Sequence, residues 1–239
     1  MNLPTIVQKQ IEIKLPVTKK KVKIRPFTVK EQKNLLLAVE QTKNLSKSEK
    51  DIFILSEFAV IMQSCLITDM EIFDLPLADF MYICLQLRSI SVGDTVEAKY
   101  KCPCGTRVDV EFNIDNIKCL NLKNKYEKEF NVSDDIVVTV GLLKMKDVLL
   151  ISRENEVDLV LDTIARSIVS ISDKDTVYDV KDIDPEEVKE FVSNIPISKM
   201  KEFETYIEST PFLVYSNVVN CPTGSKTLEV RNIQDFFIS

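Results

Sequence analysis

Val96 to Ile114 reads Val-Glu-Ala-Lys-Tyr-Lys-Cys-Pro-Cys-Gly-Thr-Arg-Val-Asp-Val-Glu-Phe-Asn-Ile. Val96, Ala98 and Tyr100 alternate with charged residues, and so do Val108, Val110, Phe112 and Ile114. Two period-two runs around a Pro/Gly turn predict a β-hairpin with one buried face. A second copy of the device closes the chain. Phe212–Cys221 and Lys226–Arg231 read as strands around Pro222-Thr-Gly-Ser225. Both turns carry Cys-Pro-x-Gly, about 119 residues apart, which makes a pair and not a solenoid repeat.

Paired cysteine turns on two hairpins are the pattern of a zinc ribbon, in which four thiolates meet the tetrahedral preference of zinc. The pattern is degenerate here. Cys102-Pro-Cys104 is one residue shorter than the usual two-residue spacer. The second turn keeps Cys221 but has Thr223, Gly224 and Ser225 where another thiolate belongs. Cys102, Cys104 and Cys221 are the candidate ligands, with Cys119 the remaining candidate for a fourth. Nothing in the sequence around Cys119 requires that role. The expectation is no cofactor; a metal bound by these thiolates would be zinc. Cys65 and Cys84 fall on apolar helix faces and read as core residues.

Outward from the two hairpins, the chain divides by period. Residues 1–27 read as an N-terminal hairpin, with Ile11, Ile13 and Leu15 in one strand and Val22 and Ile24 in the other. Residues 28–92 read as helical. Thr28-Val-Lys-Glu31 and Ser46-Lys-Ser-Glu49 are capping boxes, and Pro76 suits the first turn of a third helix. Residues 93–140 hold the first ribbon hairpin and weaker strands at Phe130–Val132 and Ile136–Val140. Residues 141–210 return to helical spacing. There Val157, Val160, Leu161, Ile164, Ile168 and Ile171 form one stripe, and Asp184-Pro-Glu-Glu187 starts a further helix. Residues 211–239 hold the second ribbon hairpin and a tail. The expected class is α+β, mainly helical, with a small zinc-ribbon-like β element built from two distant hairpins. Residues 1–239 are expected to form a single intertwined unit, with the last strands returning beside residues 94–114.

The 239 residues are 45% apolar and 28% charged, a globular composition. The net charge of −6 is uneven: residues 1–50 carry twelve Lys/Arg against four Asp/Glu, a balance of +8, which leaves −14 for the rest. Lys19, Lys20, Lys21, Lys23 and Arg25 are the densest basic cluster, a solvated hairpin face or a contact for nucleic acid or an acidic partner. The acidic total argues against a general nucleic-acid binder. No secretory signal and no long apolar stretch is read, so a reducing, cytoplasmic setting is expected.

The chain has no histidine, which excludes Ser-His-Asp and Cys-His catalysis and histidine-ligated metals. Its four glycines are too far apart to write a phosphate-cradling loop. The acidic pairs Asp134-Asp135 and Glu186-Glu187 read as a turn and a helix start. No catalytic residue is assigned, and the chain is expected not to be an enzyme.

The order of these features resembles a known family. Ile24-Arg-Pro-Phe-Thr-Val-Lys-Glu31 precedes the helices, and Leu87-Arg-Ser-Ile-Ser-Val-Gly93 precedes the Cys102 turn. Val177-Tyr-Asp179 precedes the Asp184 helix, and Cys221-Pro-Thr-Gly224 and Asp235-Phe-Phe237 close the chain. Over nearly its whole length the sequence resembles the baseplate hub assembly proteins of T-even-type contractile-tailed phages. The resemblance implies a non-enzymatic assembly factor in the host cell cytoplasm, a chaperone or catalyst of hub assembly. Its partners would be the baseplate hub proteins of the phage tail, with no small-molecule substrate, no membrane and no nucleic acid. The alternatives are a structural subunit of the hub and a zinc-ribbon-like nucleic-acid-binding module.

Overall fold

The computed structural model describes residues 4, 6–101, 105–151, 155–221 and 224–230. In chain order the elements are β1 (Ile11–Lys14), β2 (Lys21–Ile24), α1 (Val29–Gln41), α2 (Lys47–Cys65), α3 (Leu77–Val92), β3 (Thr95–Lys101), β4 (Arg107–Asn113) and β5 (Lys118–Leu120). There follow β6 (Lys128–Asn131), β7 (Val137–Val140), α4 (Met145–Leu150), α5 (Glu156–Ser167), β8 (Ile168–Ser172) and β9 (Val177–Asp179). The last described elements are α6 (Pro185–Ser193), α7 (Ile197–Glu208), β10 (Phe212–Cys221) and β11 (Gly224–Val230). The class is α+β, with helix the larger share. The chain forms two compact units, one of residues 1–72, 78–120 and 211–239, the other of residues 73–77 and 121–210.

In the first unit, β1 and β2 pair antiparallel, with Ile13 opposite Val22 and Lys14 opposite Lys21. Strand alternation buries Ile13, Val22 and Ile24 and leaves Glu12, Lys14, Lys21 and Lys23 in solvent. At α2, the Ser46 hydroxyl accepts the Glu49 N–H at 3.4 Å and Glu49 accepts the Ser46 N–H at 2.9 Å, the reciprocal cap that the sequence predicts. At α1, Glu31 likewise accepts the Thr28 N–H at 2.6 Å. The apolar face of α3 seats Phe80, Ile83, Cys84 and Leu87 in the core.

The β3–β4 hairpin has the register that its alternation dictates, from Thr95 opposite Asn113 to Lys101 opposite Arg107. The C-terminal hairpin forms a different sheet, in the order β11-β10-β5. Among the described residues no strand of one hairpin is hydrogen-bonded to the other, and no zinc-ribbon element is shown. One side-chain contact links β10 to β4. Tyr215 of β10 meets Phe112 of β4 edge-on, ring centroids 4.6 Å apart, and donates to the Glu111 carbonyl at 3.4 Å.

The second unit is a four-stranded antiparallel sheet, β6-β7-β8-β9, packed with helices. Phe130 of β6 packs on Phe203 and Tyr206 of α7, at 4.6 and 5.8 Å between centroids. Val138, Val140, Ile164 and Val192 complete that core. Helix α6 begins as its sequence requires, the Asp184 carboxylate accepting the Glu186 N–H at 2.9 Å and Pro185 in the first turn. The stripe from Val157 to Ile171 is not one helix. Helix α5 stops at Ser167, whose carbonyl accepts the Gly141 N–H at 2.7 Å. The chain then turns into β8, with Ile168 opposite Val140 and Ile171 opposite Val138. Strand pairing outcompetes the helical spacing because Ile168, Val169 and Ile171 are β-branched and fit a pleated surface.

Candidate functional site

The predicted thiolate cluster is only partly visible. Cys102 and Cys104 lie outside the described residues. Cys221 ends β10, its backbone opposite Gly224. Cys119 sits on β5, opposite Leu213 of β10, and is half-buried. Its thiol is pushed up to about 11, first by burial and then by the Asp79 charge, with Lys19 opposing. Among the described residues no group of three or more His, Cys, Asp or Glu is placed to hold a metal ion. Cys65 and Cys84 are buried core residues, both with thiols raised above the ordinary value by burial.

A polar cluster that the sequence did not announce holds the tip of the N-terminal hairpin. Asp79 lies in the first turn of α3 and is fully buried. Its carboxylate accepts the Val17 N–H at 2.7 Å, the Thr18 N–H at 2.9 Å and the Thr18 hydroxyl at 2.6 Å. Burying a carboxylate is costly unless hydrogen bonds replace its water, and three short donors do so here. The β1–β2 turn is thereby fixed, with Lys19 in the left-handed region (φ 60°) and the Leu15 N–H donating to Lys20 O at 2.9 Å. Around this tip the exposed side is basic: Lys14, Lys19, Lys20, Lys21 and Lys23. Lys21 pairs with Glu12 at 2.9 Å, and the Lys19 ammonium donates to the Pro16 carbonyl at 2.6 Å.

The base of the same hairpin is tied by Arg25. Its guanidinium bridges both oxygens of Glu31, at 2.6 and 3.0 Å, and also donates to the Ser64 carbonyl at 2.8 Å. Glu31 is held at about 2, mainly by Arg25 and further by Thr28 and Ser64, against the cost of burial. One residue thus joins the end of β2, the start of α1 and the end of α2.

The second unit has a cavity of about 500 Å³ lined by residues of α5, β8 and α6. Two ion pairs lie in its wall, Lys189 with Asp162 at 2.9 Å and Lys181 with Asp179 at 2.6 Å. The buried Arg166 Nε has no acceptor among the described residues. Burial raises the Asp147 carboxyl, opposed chiefly by the Lys144 N–H.

Against this background of surfaces and paired charges, the family model of the T4 bacteriophage base plate protein matches residues 8–238. The chain belongs to that family. The baseplate family is a structural or assembly family and not a known enzyme family. No curated protein and no solved structure matches the chain significantly. For a baseplate family member the features that matter are those that can meet other baseplate proteins. Among the described residues no helix is long and apolar enough to cross a membrane.

Of the groups that organise the baseplate chain's N-terminal hairpin, the sequence pointed to Glu31 through its capping box and to the lysines through their density. It did not point to Asp79. The available signal was an acid inside an otherwise apolar helix, Leu77-Ala-Asp-Phe-Met-Tyr-Ile83, where the bland reading is a first-turn acid facing the helix dipole.

Proposed function

We propose that this baseplate family member is an assembly factor for the central hub of the phage tail baseplate, working by binding hub proteins without catalysing a covalent reaction. The observation that carries the reading is the family match over residues 8–238. The absence of histidine agrees with it. The same reading places the chain in the host cytoplasm while tails are being built. It takes the cysteine turns to be held by strand pairing and packing, with no metal required.

The test is genetic. A phage lacking this chain is grown, and tail intermediates in the lysate are separated by sedimentation. Accumulation of baseplate parts without a completed hub, restored by supplying the chain in trans, is the expected result. Normal tails without the chain would contradict the proposal. A structural hub subunit is the alternative within the family, and particle composition separates the two.

A further inference from the structure

We propose that the solvent face of the β1–β2 hairpin, carrying Lys14, Lys20, Lys21 and Lys23, is a preformed docking surface for an acidic patch on a partner protein. The inference rests on the assembly reading and adds to it a surface and a partner chemistry.

Two independent features carry it. The first is an excess of like charge, four lysines against one carboxylate. Lys14 and Lys21 are direct cross-strand partners, an arrangement that destabilises a β-ribbon. Glu12 is the only acid on the β1 and β2 strands, and it is engaged by Lys21 at 2.9 Å. Lys14 and Lys20 form no salt bridge among the described residues, and Lys23 stands opposite Glu12 on the ladder, with its charge helping to hold that carboxylate ionised.

The second feature is rigidity. A two-stranded hairpin alone is marginal in water. Here its inner residues Leu15, Val17, Val22 and Ile24 are buried, and the fully buried Asp79 carboxylate grips Val17 and Thr18 immediately before the lysine cluster. The ammonium groups are therefore presented on a fixed backbone, which lowers the ordering cost of binding.

Two observations select protein carboxylates over nucleic-acid phosphates. Arg25, the arginine of this hairpin, has its planar fork occupied by Glu31 and is withdrawn from phosphate recognition. The outward residues of the two strands, Glu12, Lys14, Lys21 and Lys23, include no aromatic ring on which a base would stack.

The test uses the full chain with two fluorescent probes, a poly-L-glutamate peptide and a DNA duplex, followed by anisotropy at low and moderate salt. The peptide is expected to bind in a salt-sensitive manner. The double variant Lys14→Glu/Lys23→Glu should weaken it by about tenfold or more, as reversal of desolvated or steering charges does. Asp79→Asn keeps every lysine yet should also weaken binding by loosening the tip. Should that variant not fold, Thr18→Ala removes one of the three donors and serves in its place. Peptide binding unchanged by the lysine reversals would overturn the proposal. Tighter binding of the duplex than of the peptide would assign the face to nucleic acid and overturn it as well. The double variant is also supplied in trans to phage lacking the chain. Full rescue of baseplates would remove this surface while leaving the assembly role standing; failed rescue together with lost peptide binding supports both.

Discussion

The Asp79 carboxylate accepts the Val17 backbone N–H at 2.7 Å across 62 positions of sequence, with Thr18 completing the grip through its N–H and hydroxyl. A turn is usually held by its own residues. This one is held from α3, so the hairpin tip and the helix start form or fail together. Asp79→Asn replaces one acceptor oxygen with a donor facing donors and removes the charge assistance of the rest. The expected loss is about 3 kcal/mol, read as a lower urea midpoint at unchanged slope. A midpoint shift close to zero would show that the clamp does not hold the fold.

The Arg25–Glu31 pair predicts an acid-sensitive first unit. Glu31 titrates at about 2 in the folded chain against an ordinary 4.5, so the folded state favours its ionised form. Its contribution is complete above about pH 4.5 and is lost as the pH falls towards 2. Glu31→Gln should lower stability at pH 7 by roughly 2 kcal/mol and flatten the profile over that acid range. Thermal melts of both proteins from pH 2 to 7 check this. Parallel profiles would mean that the acid sensitivity lies elsewhere.

How much of this was readable in advance differs by element. The β3–β4 hairpin, α6 and both capped helices follow from signals within a few residues: alternation, a proline at the first turn, a Ser or Thr three before Glu. Strand β5 was missed because Lys118-Cys-Leu120 has no pattern of its own and exists by pairing with Phe212–Val214. The six-residue α4 is too short for a helical stripe. The α5–β8 boundary was misread because Ile164, Ile168 and Ile171 satisfy the helical period while the decision rests with β7, distant in sequence. The candidate cysteines were chosen for their motif, whereas the interaction that organises the hairpin tip is a lone buried Asp with backbone partners. Sequence spacing carries no trace of such partners.

Gly141 is required for closeness and not for an unusual backbone angle. A Cβ there would stand 2.8 Å from Val169 Cγ2, and a β-branched side chain has little freedom to yield. Gly141→Ala should cost about 1–3 kcal/mol, with most of the loss recovered in Gly141→Ala/Val169→Ala. Additive losses in that double variant would show that the contact is not the source of strain.

Metal dependence is predicted to be absent. Structural zinc sites contribute on the order of 10 kcal/mol, and chelators unfold the domains that depend on them. With one cysteine turn a residue short and the other lacking its second thiolate, EDTA should leave the melting temperature of the purified chain unchanged. A fall in melting temperature, together with one zinc per chain by elemental analysis, would restore the ribbon site at Cys102, Cys104 and Cys221.

The central claim, that the chain builds the baseplate hub without becoming part of it, is tested most directly by quantitative mass spectrometry of purified particles beside the infected-cell lysate. The account predicts a chain abundant in the lysate and missing from the particles. A fixed small-integer copy number per particle would contradict it and make the chain a hub subunit.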